Sequence, residues 1–174
     1  MIDLAEAIAR QRAKVEAHFG GRLVIGKMSA DMGDDLVLTG AAFTPDGRTL
    51  YVSETETSRV WAYDVLAPGQ LSKQGFPSPN GGRLVCGLPG FQRFDSLAID
   101  ALGNICVATL MTGHITVIAP DGHVVRQVKL PDVYPTNICF GGPDLRTAFI
   151  TLSGVGQVAA ARWPEPGLRL NYNA

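Results

Sequence analysis

Three recurrences of one strand–turn–strand pattern predict an all-β fold. The expected architecture is a partial β-propeller of about three four-stranded antiparallel blades, with a short N-terminal helix. The copies are Leu38-Thr-Gly-Ala-Ala-Phe-Thr-Pro-Asp-Gly-Arg-Thr-Leu-Tyr-Val-Ser53, Asp95-Ser-Leu-Ala-Ile-Asp-Ala-Leu-Gly-Asn-Ile-Cys-Val-Ala108 and Pro135-Thr-Asn-Ile-Cys-Phe-Gly-Gly-Pro-Asp-Leu-Arg-Thr-Ala-Phe-Ile-Thr151. Gly40, Ser96 and Asn137 align in one column, and Phe43, Ile99 and Phe140 in another. The turns fall at Pro45-Asp46-Gly47, Ala101–Asn104 and Gly142-Pro143-Asp144. Asp-Gly and Gly-Asn supply the positive φ of a tight hairpin.

The remaining strands follow in order. Second strands are predicted at Thr49–Ser53, Ile105–Thr109 and Thr147–Thr151, and third strands at Arg59–Asp64, His114–Ala119 and Gln157–Arg162. Outer, fourth strands are predicted at Arg83–Leu88 and Val124–Leu130. The aligned column recurs after 56 and then 41 residues, against roughly 40–50 for a four-stranded blade. The longer interval holds the Pro/Gly/Ser-rich stretch Ala67–Gly82.

Residues 1–35 do not fit the repeat. Ile2–Phe19 reads as a helix with a weak apolar stripe, ended by Gly20-Gly21. Leu23–Ile25 is a candidate extra strand and Asp31–Asp35 an acidic turn. The division expected is residues 1–35 as a non-matching head and 36–174 as half a propeller. Closed propellers have typically four to eight blades, so three blades leave two open faces. A truncated gene product, a degenerate copy and a homodimer of two half-propellers would each account for this.

Composition sets limits. The chain has 174 residues, 46% of them hydrophobic, with Gly 20 and Pro 11, and a net charge of −1. That is enough apolar material for one core and many turns. The charge gives no reason to expect nucleic acid or an anionic membrane as partner. No apolar run approaches the roughly 18–20 residues of a membrane span. Met1–Gly20 carries early acids and no continuous apolar core, so no signal peptide is expected. Cys86, Cys106 and Cys139 are expected to be buried free thiols of a chain in a reducing, cytoplasmic setting. No Cys-x-x-Cys supports zinc. No Gly-x-Ser-x-Gly elbow or phosphate-cradling loop is present. His114 and His123 lack a partner at ligand spacing, and His18 sits on the expected helix.

An acidic residue just before an innermost strand points toward a propeller's central channel, which puts Asp95 forward. Its alternative role is to cap the turn before the strand. Asp100 is expected to pin the hairpin that follows. Glu54 and Glu56 follow an inner-blade strand, where one would reach the channel rim or both would lie in a solvated turn.

The segments Phe43–Thr57, Asp95–Asn104 and Pro135–Thr147 together resemble the senescence marker protein / gluconolactonase / luciferin-regenerating enzyme family of six-bladed propellers. The resemblance runs from about Leu36 to Ala174, and the Trp163-Pro164-Glu165-Pro166-Gly167-Leu168 stretch is similar to that family's C-terminus. It implies metal-dependent hydrolysis of sugar lactones and related cyclic esters, with a small-molecule lactone as partner. It implies a divalent cation, calcium first, with magnesium, manganese or zinc as alternatives. By motif, Asp95 matches a metal-ligating Asp that also activates water. The family's Asn ligand falls on Thr39, a weaker neutral ligand, and its Glu ligand belongs to a blade with no counterpart here. Asn137 is the implied substrate contact, or could instead serve backbone hydrogen bonding where its strand begins; Glu54, from its place after an inner-blade strand, is the second candidate substrate contact.

Overall fold

The computed structural model describes residues 38–170. They form β1 (Leu38–Phe43), β2 (Thr49–Glu54), β3 (Arg59–Ala67), β4 (Gln70–Leu71), β5 (Arg83–Gly87), β6 (Arg93–Ile99), β7 (Ile105–Leu110), β8 (His114–Ile118), β9 (Val124–Lys129), β10 (Pro135–Gly141), β11 (Thr147–Leu152) and β12 (Gln157–Arg162). Three antiparallel sheets result. Blade 1 runs β1-β2-β3 with β5 on β3, blade 2 runs β6-β7-β8-β9, and blade 3 runs β10-β11-β12. The all-β architecture is as expected, and the strands start where the alternating pattern places them. The two-residue β4 adds a hairpin on β3 inside the long Pro/Gly/Ser-rich stretch. The helix expected at Ile2–Phe19, the strand at Leu23–Ile25 and the turn at Asp31–Asp35 lie outside the described residues.

The hairpins form as their residues dictate. Asp46 accepts from the Thr44 hydroxyl at 2.6 Å and the Arg48 amide at 3.0 Å, and Gly47 takes φ +68°. Asp100 is fully buried. Its carboxylate accepts from the Leu102 and Asn104 amides, both at 2.9 Å, and from Asn104 Nδ2 at 2.8 Å. That is the pinning role expected of it.

The core lies between the blades. On β7, successive side chains point to opposite faces. Ile105 and Val107 pack toward blade 1 with Tyr51, Val60, Phe94 and Leu97. Cys106 and Ala108 pack toward blade 3 with Ile138, Ala148, Ile150 and Trp163. Blade 2 is therefore apolar on both faces, whereas blade 3 alternates. Ala148, Ile150 and Leu152 are buried while Phe149 and Val158 are 40% and 65% exposed.

Blade 3 has three strands among the described residues, one fewer than blade 2. After β12 the chain reads Trp163-Pro164-Glu165-Pro166, and proline has no amide hydrogen to continue a ladder. The segment crosses back instead. Trp163 N donates to Arg146 O, Gly167 N to Leu145 O and Leu168 N to Ile99 O, while Ala101 N donates to Pro166 O. It thereby laces the hairpins of blades 2 and 3 together.

One expectation fails. Cys86 and Cys106 are buried, but Cys139 is exposed. It alternates with Ile138, which fills the blade 2–blade 3 core, so its side chain must face the other way.

Candidate functional site at the mouth of the inner strands

The three inner strands share a defect at the same place. In β1 the register skips from Leu38↔Glu54 to Gly40↔Ser53, in β6 from Phe94↔Thr109 to Leu97↔Val107, and in β10 from Pro135↔Leu152 to Asn137↔Thr151. Such bulges release a side chain from the ladder and re-aim it, and they concentrate beside active sites. The released positions are Thr39, Asp95 with Ser96, and Thr136. This column contains both predicted metal-ligand positions.

Asp95 is half-buried. Burial pushes its carboxyl above the usual aspartate range, opposed by the hydrogen bond from the Ser96 amide. A raised carboxylate pKa is a property of general bases tuned toward neutral pH. Thr39 occupies the bulge of β1 in the backbone register; its side chain lies outside the described features. Thr136, at the matching place in β10, shares a hydrogen bond of 2.8 Å with Thr151.

The other candidates lie elsewhere. Asn137 is exposed, and its Oδ1 accepts from the Ile138 amide at 2.8 Å. Glu54 is 7% exposed and accepts from the Trp61 indole at 2.5 Å. It adjoins Ser53, whose hydroxyl reaches blade 2, so Glu54 faces away from blade 2 by strand alternation. The fold thus places Glu54 and Asp95 on opposite sides of the blade 1 sheet. Glu56 pairs with Arg93 at 2.8 Å. His123 bonds Asp121 at 2.6 Å. Burial, then the charge of Lys129, lowers the His114 pKa.

Sequence reading missed Asp132. This buried carboxylate accepts from Tyr134 N at 2.9 Å and Val155 N at 3.1 Å, tying the β11–β12 turn to the lead into β10. The Asp-Val-Tyr-Pro context gave no sign of the second partner, which is 23 residues away.

A concavity of about 500 Å³ runs along the hairpin ends of the inner strands, lined by Ala42, Phe43, Leu97, Ile99, Phe140 and Leu168 among others. It holds no carboxylate and does not reach Asp95. Among the described residues no group of three or more His, Cys, Asp or Glu side chains could hold a metal ion. Calcium takes 6–8 oxygen ligands. Asp95 and Thr39 fall far short of that number, so the described residues do not fit a complete cation centre.

The comparisons with known proteins bear on the family and the fold. Residues 22–154 match the family described as SMP-30/Gluconolactonase/LRE-like region. The 6-deoxy-6-sulfogluconolactonase of Pseudomonas putida is 33% identical over 141 residues, covering 78% of this chain and 45% of that protein. The crystal structure of a putative gluconolactonase superposes with a TM-score of 0.62 at 30% identity, covering 79% of this chain and 42% of that one. A regucalcin from Agrobacterium tumefaciens, described as a calcium-binding protein, superposes at 0.61 with 21% identity over 77% of this chain and 50% of its own, and speaks for the fold alone. The chain spans half the length, or less, of these relatives. With three propeller blades and a family match over most of its length, the chain belongs to the SMP-30/gluconolactonase/luciferin-regenerating-enzyme-like family.

Proposed function

We propose that this protein hydrolyses small-molecule lactones, sugar lactones and related cyclic esters first, with Asp95 as the carboxylate that activates water. The observation that carries the reading is Asp95 itself, lifted out of the β6 ladder by a bulge and half-buried, with its pKa raised by burial. The names of the relatives, a sulfogluconolactonase and a putative gluconolactonase, support the substrate class. In the reaction, water adds to the ring carbonyl carbon while Asp95 takes its proton. The ring C–O bond then breaks, and the leaving oxygen takes a proton to become the alcohol of the hydroxy acid. Asn137, exposed where β10 begins, is proposed to contact the substrate; Glu54 is proposed for the same role only if the blade 1 edge rearranges.

A divalent cation, calcium ahead of magnesium, manganese or zinc, belongs to this proposal with Asp95 and Thr39 as ligands. The described residues do not complete its shell, so further ligands must come from beyond them and no step above runs through it. A homodimer completing a propeller is one source of such ligands. The test is ring opening of an aldonolactone followed by pH-stat, above the spontaneous rate. The expected result is turnover that is lost with a chelator and restored by calcium. A rate indifferent to the chelator would remove the cation, and no turnover would remove the hydrolase. The second reading, a non-catalytic propeller half used for assembly, is favoured by the absence, among the described residues, of a group of three or more candidate ligands and of a fourth strand in blade 3.

A further inference from the structure

Opposite or beside the bulge of each inner strand, the second strand carries a hydroxyl. These are Ser53 opposite Gly40, Thr109 opposite Phe94 and Thr151 opposite Asn137. Two of them act within their own blade. Thr109 Oγ1 bonds Thr116 Oγ1 at 2.7 Å, and Thr151 Oγ1 bonds Thr136 Oγ1 at 2.8 Å. Ser53 alone of the three bonds across blades. Its Oγ lies 2.7 Å from the backbone carbonyl oxygen of Asp95 and 3.4 Å from that of Gly40.

The surroundings are built for this contact. Ser53 is fully buried, so its hydroxyl must find a partner inside the protein. At Gly40 a Cβ would stand 2.6 Å from Ser53 Oγ and 2.9 Å from both Leu97 N and Ser96 Cα. The absence of that atom lets β1 and β6 approach closely enough for the hydroxyl to cross. The carbonyl it reaches belongs to the bulge between the Phe94↔Thr109 and Leu97↔Val107 pairs. The hydrogen bond from the neighbouring blade adds a hold on that backbone beyond what the ladder supplies.

We propose that Ser53 is a positioning residue for Asp95, its hydroxyl anchoring the bulged backbone from the neighbouring blade and so fixing the direction of the Asp95 carboxylate. The inference rests on Asp95 as the working carboxylate, and it adds a residue that touches neither substrate nor reacting atoms. Misplacing a catalytic group by about 1 Å costs on the order of a hundredfold in rate. Ser53→Ala is therefore expected to lower kcat by roughly 10- to 100-fold with little change in KM. Ser53→Thr keeps the hydroxyl, in the residue type that stands at the matching register of blade 3, Thr151, and is expected to restore the rate. The deciding readout does not need activity. Side-chain three-bond couplings measured by NMR report the Asp95 χ1 angle directly. The expected result is a single rotamer in the wild type and in Ser53→Thr, and averaged couplings in Ser53→Ala. Identical couplings in all three would overturn the proposal. Averaging in Ser53→Ala from a wild type that opens no lactone would instead sink the hydrolase reading and leave the anchoring intact.

Discussion

Two aspartates five residues apart have opposite relations to the fold. Asp95 is half-buried with no cationic partner among the described residues, and burial raises its pKa. The folded state therefore holds the proton more tightly than the unfolded chain does. As pH rises through the raised pKa, the ionised group works against folding. Asp95→Asn removes that charge, so its Tm at neutral pH is expected to equal or exceed the wild type's, with the difference vanishing below about pH 4. Calorimetry at the two pH values checks this, and a clear loss of Tm at pH 7 would make Asp95 a structural residue. Asp100 is the reverse case, a fully buried carboxylate accepting three hydrogen bonds within its own hairpin. Asp100→Ala leaves those donors unpaired and is expected to cost about 2–4 kcal/mol in denaturant unfolding. The Asp100 role was legible in the sequence because it depends on local context, an Asp-x-x-Gly-Asn turn; Asp95 stood out there only through its motif before a strand. Ser53 and Asp132 were not legible, since their partners are 42 and 23 residues away.

At the scale of the element, the strands follow from short-range rules. Alternating or continuous apolar runs bounded by Gly, Asp and Asn leave few other arrangements for β6 and β7, and their observed bounds fall within a residue or two of those expected. The bulges are a different matter. Nothing local in Leu38-Thr39-Gly40 or Asp95-Ser96 announces a register skip; it arises where β1 and β6 approach each other. The β8–β9 turn offers a test of such close approach. Gly122 takes φ +95°, and a Cβ there would stand 2.0 Å from the carbonyl oxygen of Val85 on β5 of the next blade. Gly122→Ala meets both a backbone penalty and a clash with main chain that cannot rotate away. A loss of about 2 kcal/mol or more is expected in urea unfolding, and an unchanged midpoint would mean that the two blades do not touch there.

Across the whole molecule, blade 2 is the centre of the described residues because it packs against blade 1 on one face and against blade 3 on the other. The tail after β12 supplies part of the clamp that holds blade 3 to it. Arg126 of β9 forms an ion pair with Glu165 of the tail, and its guanidinium lies 5.2 Å from the centre of the Trp163 ring. The hydrogen bond from Arg126, and after it the Arg126 charge, hold the Glu165 carboxyl below the ordinary value of 4.5. The sign follows from linkage: this contribution is present above the unfolded pKa and is lost as pH falls through the folded one. Wild type is therefore expected to exceed Glu165→Gln in stability at neutral pH, with the gap closing as pH falls below about 4. A gap independent of pH would assign the effect to packing and not to charge. The sequence pattern predicted three blades but not this lacing, because prolines forbid the tail a ladder without saying where it goes instead.

The most direct test of Asp95 as the working carboxylate is the rate of lactone ring opening by wild type and Asp95→Asn, side by side, with Tm recorded for both. The account predicts turnover by the wild type above the spontaneous rate, and a loss of about a hundredfold or more in Asp95→Asn with Tm unchanged or higher. Equal rates in two equally folded proteins would contradict it.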